Sequence, residues 1–170
     1  MWVFDATPLI YLGKVGQLSL VEQFEEPCVL PERVYEEVVV TGLEAGYPDA
    51  RRIERSVEAN RFEIISVGAT TLYSRLQKNS NLSDADAAVL ACADDHDGVA
   101  VMDETYGRDV AVAEGITTRG TTSLVLQCTK QGAISSDDAR TIIDAMIDEG
   151  WYCAPAVYTK ILQKLETLSD

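Results

Sequence analysis

Histidine is almost missing from this chain of 170 residues; His96 is the only one. Cysteine is sparse too, with Cys28, Cys92, Cys128 and Cys153, and no two of them stand in a Cys-x-x-Cys pair. Structural zinc sites need closely spaced Cys and His, so a zinc module is excluded. His96 has no Ser or Cys partner in the pattern of a nucleophilic site. Three of the cysteines lie in apolar context, which fits buried free thiols in a reducing compartment. Bases are few, 14 against 28 acids, giving a net charge of −14. So negative a surface disfavours nucleic acid at low salt, and nucleic-acid chemistry then needs bound cations or high ionic strength. It equally suits a protein kept dispersed in a high-salt cytoplasm. No apolar run approaches a membrane span, and no basic leader precedes one. Repeats, low-complexity tracts and Pro/Gly linkers are lacking. One domain over residues 1–170, cytoplasmic and without a membrane partner, is expected.

What is present centres on Leu82-Ser83-Asp84-Ala85-Asp86-Ala87-Ala88-Val89-Leu90-Ala91. Ser83 is a good N-cap, and acids in a first turn suit the helix dipole. Ala85 to Ala93 is apolar on every side, so this helix is buried. Asp86 lies inside that run, where a lone acid is costly unless something positive or several donors meet it.

Short apolar runs alternate with helical segments along the chain. Strands are expected near 2–5, 27–30, 62–65, 98–102 and 115–118. Asp5 ends the first, before a helix capped by Thr7 with Pro8 at its first position. Pro31 opens a helix to Val40, on which Glu37 shares the inward face of Val34 and Val38 while Glu36 is solvated. Glu44 to Arg61 reads as a charged helix; Arg51, Arg52, Arg55 and Arg61 form an exposed face or a contact to phosphate or a partner protein. Asp94–Gly98 is an acidic surface turn. Asp103-Glu104 ends the fourth strand, and an apolar helix runs from Ser123 to Lys130. This alternation predicts a three-layer α/β/α fold around a central, mostly parallel sheet of about five strands.

In such a sheet Asp5 and Asp103 leave at the same carboxyl edge, where ligands bind. Glu37 and Asp86 face in from helices, with Asp84 and Glu104 at the rim. Ionised carboxylates gathered in one cleft drive one another's protonation unless a cation joins them. All-oxygen ligands suit Mg²⁺ or Mn²⁺, which can activate water for hydrolysis of a phosphodiester.

Five stretches, in order, also resemble a known family. They are Asp5-Ala6-Thr7-Pro8-Leu9-Ile10, Pro31 to Val38 with Glu37, Ser83 to Ala87, Val101 to Arg108, and the pieces Gly120-Thr121, Lys130-Gln131-Gly132 and Gly150-Trp151-Tyr152. Together they are similar to the PIN-domain nucleases, most closely the VapC-like subgroup of prokaryotic toxin–antitoxin pairs. The resemblance implies a metal-dependent ribonuclease acting on RNA. It implies Asp5, Glu37, Asp86 and Asp103 as catalytic acids, with Asp5, Asp86 and Asp103 on the metal. Thr7 would orient the first acid or a water, and Arg108 would hold phosphate or a carboxylate. Asp84 and Asp86 stand where the family has Glu, and Glu104 where it has Asp, so either Asp103 or Glu104 can supply the ligand at that strand end. A homodimer and a small antitoxin are further implications. The alternatives are a housekeeping RNA-processing nuclease and a PIN-fold module that binds RNA or protein without cleaving.

Overall fold

Trp2–Phe4 form the first strand, β1, of the computed structural model, which describes residues 1–169. All three residues are buried, as an apolar run starting at the second residue demands. The other strands are β2 (Cys28–Pro31), β3 (Glu63–Ile65), β4 (Val99–Val101) and β5 (Thr117–Arg119). They make one sheet in the order β3-β2-β1-β4-β5, every pair parallel. The expected fold is therefore present, with a sheet that is wholly rather than mostly parallel. The two edge strands carry the exposed polar residues Glu63, Thr117 and Arg119, which blunts the edges.

Helix α1 (Ala6–Lys14) follows β1 and packs on α4 (Pro48–Glu58), with a 3₁₀ segment (Leu18–Gln23) between α1 and β2. After β2 comes α2 (Glu32–Tyr35), a π-helical turn (Glu36–Thr41) and α3 (Gly42–Glu44). Helices α5 (Thr71–Gln77) and α6 (Asp84–Asp95) precede β4, and α6 lies across β1, β2 and β4. Then come α7 (Thr105–Ala113), α8 (Thr121–Lys130), α9 (Ser136–Asp148) and α10 (Pro155–Ser169), the last three packed on one another. Every residue from Ala85 to Ala93 is buried, so α6 is the apolar rod its composition requires. Its C-terminal end is capped by His96, whose Nδ1–H donates to the Cys92 carbonyl at 2.9 Å, so the one histidine is structural.

The chain order moves outward from β1 to β3, then returns to β4 on the other side of β1. Right-handed crossovers put the two sets of helices on opposite faces. The reversal falls between β1 and β4, and at that point a parallel sheet opens a crevice beyond its carboxyl ends.

Four boundaries differ from expectation, each for a local reason. Helix α1 starts at Ala6 with Asp5 at the N-cap, two residues ahead of Thr7. Helix α8 starts at Thr121, not Ser123, with Gly120 at its N-cap. The segment from Pro31 to Val40 is not one α-helix but passes into the π turn, with Val34, Val38 and Val39 all buried. The charged stretch from Glu44 breaks at Gly46, whose φ of +78° ends α3, and Pro48 restarts the chain as α4. Among the described residues, no helix is long and apolar enough to cross a membrane.

Candidate active site

Asp5 sits where β1 stops and α1 begins, and its amide donates to the Val101 carbonyl at 2.9 Å. That bond ties it to β4 across the crevice. Although Asp5 holds the N-cap position, its side chain makes no capping bond to α1. Asp5 is only 5% exposed as a residue, and its carboxyl lies beside that of Asp86, a residue 9% exposed. Asp86 reaches this place because Ser83 caps α6: the Ser83 hydroxyl accepts from the Asp86 N–H at 3.0 Å. The cap sets the first turn so that Asp84 faces solvent and Asp86 faces the sheet.

Burial, then the charge of Asp86 and a hydrogen bond to it, raise the Asp5 pKa well above its ordinary 3.8. The Ala6 N–H opposes this, and Glu37 adds to it. Two acids side by side in so buried a place repel one another when both are ionised, and a bound cation is one way to offset that repulsion.

Glu37 belongs to the same group, though not from inside. It is exposed as a residue, at the start of the π turn, yet desolvation of its carboxyl and then the charge of Asp86 raise its pKa. The inward position expected for it is thus corrected: Glu37 reaches the acids from the rim. Glu37 lies in the i→i+5 turn, a form that is rare and frequent at functional sites. Glu36 is exposed and pairs loosely with Arg33 at 3.9 Å.

Asp103 leaves the sheet from β4, next to Asp5's strand, and is half-buried. Its Oδ1 accepts from the Thr121 N–H at 2.7 Å. Its Oδ2 accepts from the Thr121 hydroxyl at 2.7 Å and from the Trp151 indole N–H at 3.2 Å. Glu104 is exposed at the N-cap of α7 without a capping bond, so of the two acids Asp103 has the organised environment. The Arg108 guanidinium lies beside Gly120, close to the Asp103 carboxylate, on an exposed residue. Thr7 is half-buried on the first turn of α1.

Three of the four arginines of the charged stretch are engaged within the protein, and Arg55 is exposed. Arg52 caps α1 through the Gly13 and Lys14 carbonyls at 2.8 and 2.9 Å. Arg51 bonds Glu54 at 3.0 Å and Arg61 bonds Glu22 at 2.6 Å. Arg52 ties α4 to the end of α1 and Arg61 reaches the 3₁₀ segment, while the Arg51 pair lies within α4.

The donor set at the crevice is entirely carboxylate and hydroxyl oxygen, the chemistry that a hard divalent cation prefers. Among the described residues no three of Asp, Glu, His or Cys are grouped closely enough to hold a metal ion by themselves. A Mg²⁺ site does not require three, since that ion keeps several waters and takes one or two carboxylates. Asp5 and Asp86 are two such carboxylates, side by side and buried.

Two residues that sequence reasoning did not single out as site residues stand at its edge, Thr121 and Trp151. Both were visible only as parts of motifs, and their bonds to Asp103 span 18 and 48 residues. Compared with known proteins, the chain matches one family model, described as a PIN domain, over residues 1–167. No curated protein matches it.

Proposed function

The chain belongs to the PIN-domain family, and from that premise we propose that it is a divalent-metal-dependent endoribonuclease that hydrolyses RNA phosphodiester bonds. The observation that carries this reading is the buried Asp5–Asp86 carboxyl pair at the reversal point of a parallel sheet. Two acids held together in a buried crevice repel and are desolvated when both are ionised, and a divalent cation offsets both costs.

Asp5 and Asp86, with Asp103 directly or through a water, would hold Mg²⁺ or Mn²⁺. Such an ion supplies acidified water and positive charge beside the scissile phosphate. Glu37, with its raised proton affinity, is suited to take a proton from water at the rim. The water oxygen then bonds to phosphorus, the bond to the leaving ribose oxygen breaks, and that oxygen takes up a proton. In this reading Arg108 would meet a phosphate oxygen, and Thr7 would order a water near Asp5. Asp84 and Glu104 serve as rim acids.

In its finer form the reading is a toxin of the VapC-like type, a homodimer restrained by a small antitoxin whose arm covers the crevice. Co-purification with the product of an adjacent small gene tests that part. A second reading draws on the net charge of −14, which opposes RNA binding at low salt: a PIN-fold module that binds without cleaving. Cleavage of single-stranded RNA with Mn²⁺ decides between them. Cutting that is lost in Asp5→Asn and Asp86→Asn supports the nuclease. Binding without cutting, at any divalent concentration, supports the module.

A further inference from the structure

Asp103 receives more donors than an acid at a strand end needs. Three N–H or O–H groups converge on its two oxygens, all within hydrogen-bonding distance. A carboxylate has about four acceptor positions. Three are filled, two on Oδ2 and one on Oδ1, so one position on Oδ1 stays open.

The donors come from two separate parts of the chain. Thr121 is the first residue of α8 and fully buried. Its N–H is one of the four amides that a helix leaves without a partner, and the positive end of the α8 dipole adds to the attraction. Trp151 lies in the connection from α9 to α10 and is 8% exposed. A buried indole N–H needs an acceptor, and Asp103 is the one it has. Gly120 completes the cradle. A Cβ there would stand 3.1 Å from Oδ1, tight enough to crowd the carboxylate, and 3.5 Å from an Arg108 guanidinium nitrogen, an ordinary contact.

We infer that Thr121 and Trp151 are positioning residues that lock the Asp103 carboxylate in one orientation, leaving a single Oδ1 contact to offer at the crevice. The inference rests on the nuclease reading for its consequence, but the lock itself is a property of the apo protein. A plain structural role, in which Asp103 only caps α8 and Trp151 only anchors a loop, would change stability and nothing else. A positioning role changes the chemistry while leaving RNA affinity alone, because neither residue needs to touch substrate.

The test uses the full chain in three variants: Trp151→Phe, Thr121→Val and Thr121→Ser. Thr121→Val is nearly the same shape and loses only the O–H donor; Thr121→Ser keeps both donors. For cleavage of single-stranded RNA with Mn²⁺, Thr121→Val and Trp151→Phe are expected to lower kcat about 10- to 100-fold at unchanged KM, the usual effect of removing a group that orients a metal-site acid. Thr121→Ser restores kcat to within about twofold, on the same reasoning. Mn²⁺ dissociation constants read by electron paramagnetic resonance on the free protein rise in parallel. The lock is read without activity from the ¹⁵N–¹H indole signals of the two tryptophans. Asp103→Asn shifts that of Trp151 and leaves that of Trp2, whose N–H is held by Glu26.

If the native chain neither cuts RNA nor binds Mn²⁺, the nuclease reading fails. The indole signal then judges the lock alone: a shift in Asp103→Asn supports it, and no shift overturns it. If the native chain does cut, and folded Thr121→Val cuts with native kcat and Mn²⁺ affinity, the positioning role is overturned whatever Trp151→Phe does to folding.

Discussion

Asp86 stands against Asp5 at the point where β1 ends. After burial, its charge is the largest reason that the Asp5 carboxyl holds its proton well above the ordinary 3.8. This relationship is a liability for the fold and an asset for a metal site, and its two sides can be measured separately.

The liability appears as pH-dependent stability. A carboxyl with a raised folded pKa binds its proton more tightly folded than unfolded. The stability it lends is therefore complete below 3.8 and is lost as pH rises through the folded value. The strain grows as pH rises from 3.8 toward the folded value, and Asp5→Asn removes it. Asp5→Asn should raise the melting temperature at pH 7 by about 2–4 °C, the shift expected of ~1 kcal/mol in a domain of this size. The gain should shrink toward zero near pH 3.5. Calorimetry of both proteins from pH 3.5 to 7 checks this; equal melting temperatures at pH 7 would count against a strained pair.

The asset appears as metal-dependent stability. A ligand that binds only the folded state adds about 2.7 kcal/mol at a hundred times its dissociation constant. Saturating Mn²⁺ should raise the melting temperature of the native chain by several degrees and leave Asp5→Asn and Asp86→Asn unmoved. A Mn²⁺ shift of equal size in all three would place the ion elsewhere on the acidic surface.

Glu36 and Glu37 are neighbours with opposite prospects. Glu36 is exposed beside Arg33, while desolvation and Asp86 raise the proton affinity of Glu37. Glu37→Gln should lower kcat by about 10²-fold or more, the scale of a lost general base. Glu36→Gln should stay within about twofold, as expected of an exposed pair worth little. RNA cleavage rates at saturating Mn²⁺ separate the two.

The cysteines offer a check on the core. Burial pushes the thiol of Cys28 up to about 12 and those of Cys92 and Cys128 up to about 11. Cys153 is only half-buried. Since the thiolate is the reactive form, iodoacetamide at pH 8 should label Cys153 first and spare the other three until the protein unfolds. Peptide mass mapping over time reads the order.

Much of this architecture is legible in the residues. The apolar run after Asp86 can only be a buried helix, and Ser83 before it marks the start, so the odd acid is visible at once. Strand lengths and Pro/Gly punctuation carry the five-strand alternation. The rest depends on contacts that local pattern does not record. The π turn at Glu36–Thr41 comes with the burial of both Val38 and Val39, and no periodicity of 3.6 announces it. Thr121 and Trp151 are ordinary residues by type, and only the folded chain brings them onto Asp103. The two-residue error at the start of α8 concealed the Thr121 amide, which is free to donate because it lies in the first turn.

The central claim is that a divalent cation joins Asp5 to Asp86, and a crystal soaked in Mn²⁺ and measured at the manganese absorption edge tests it most directly. One or two anomalous peaks between these two carboxylates are predicted, absent from Asp86→Asn crystals treated alike. A crevice without an anomalous peak in the native crystal, or a peak that survives in Asp86→Asn, would contradict the account.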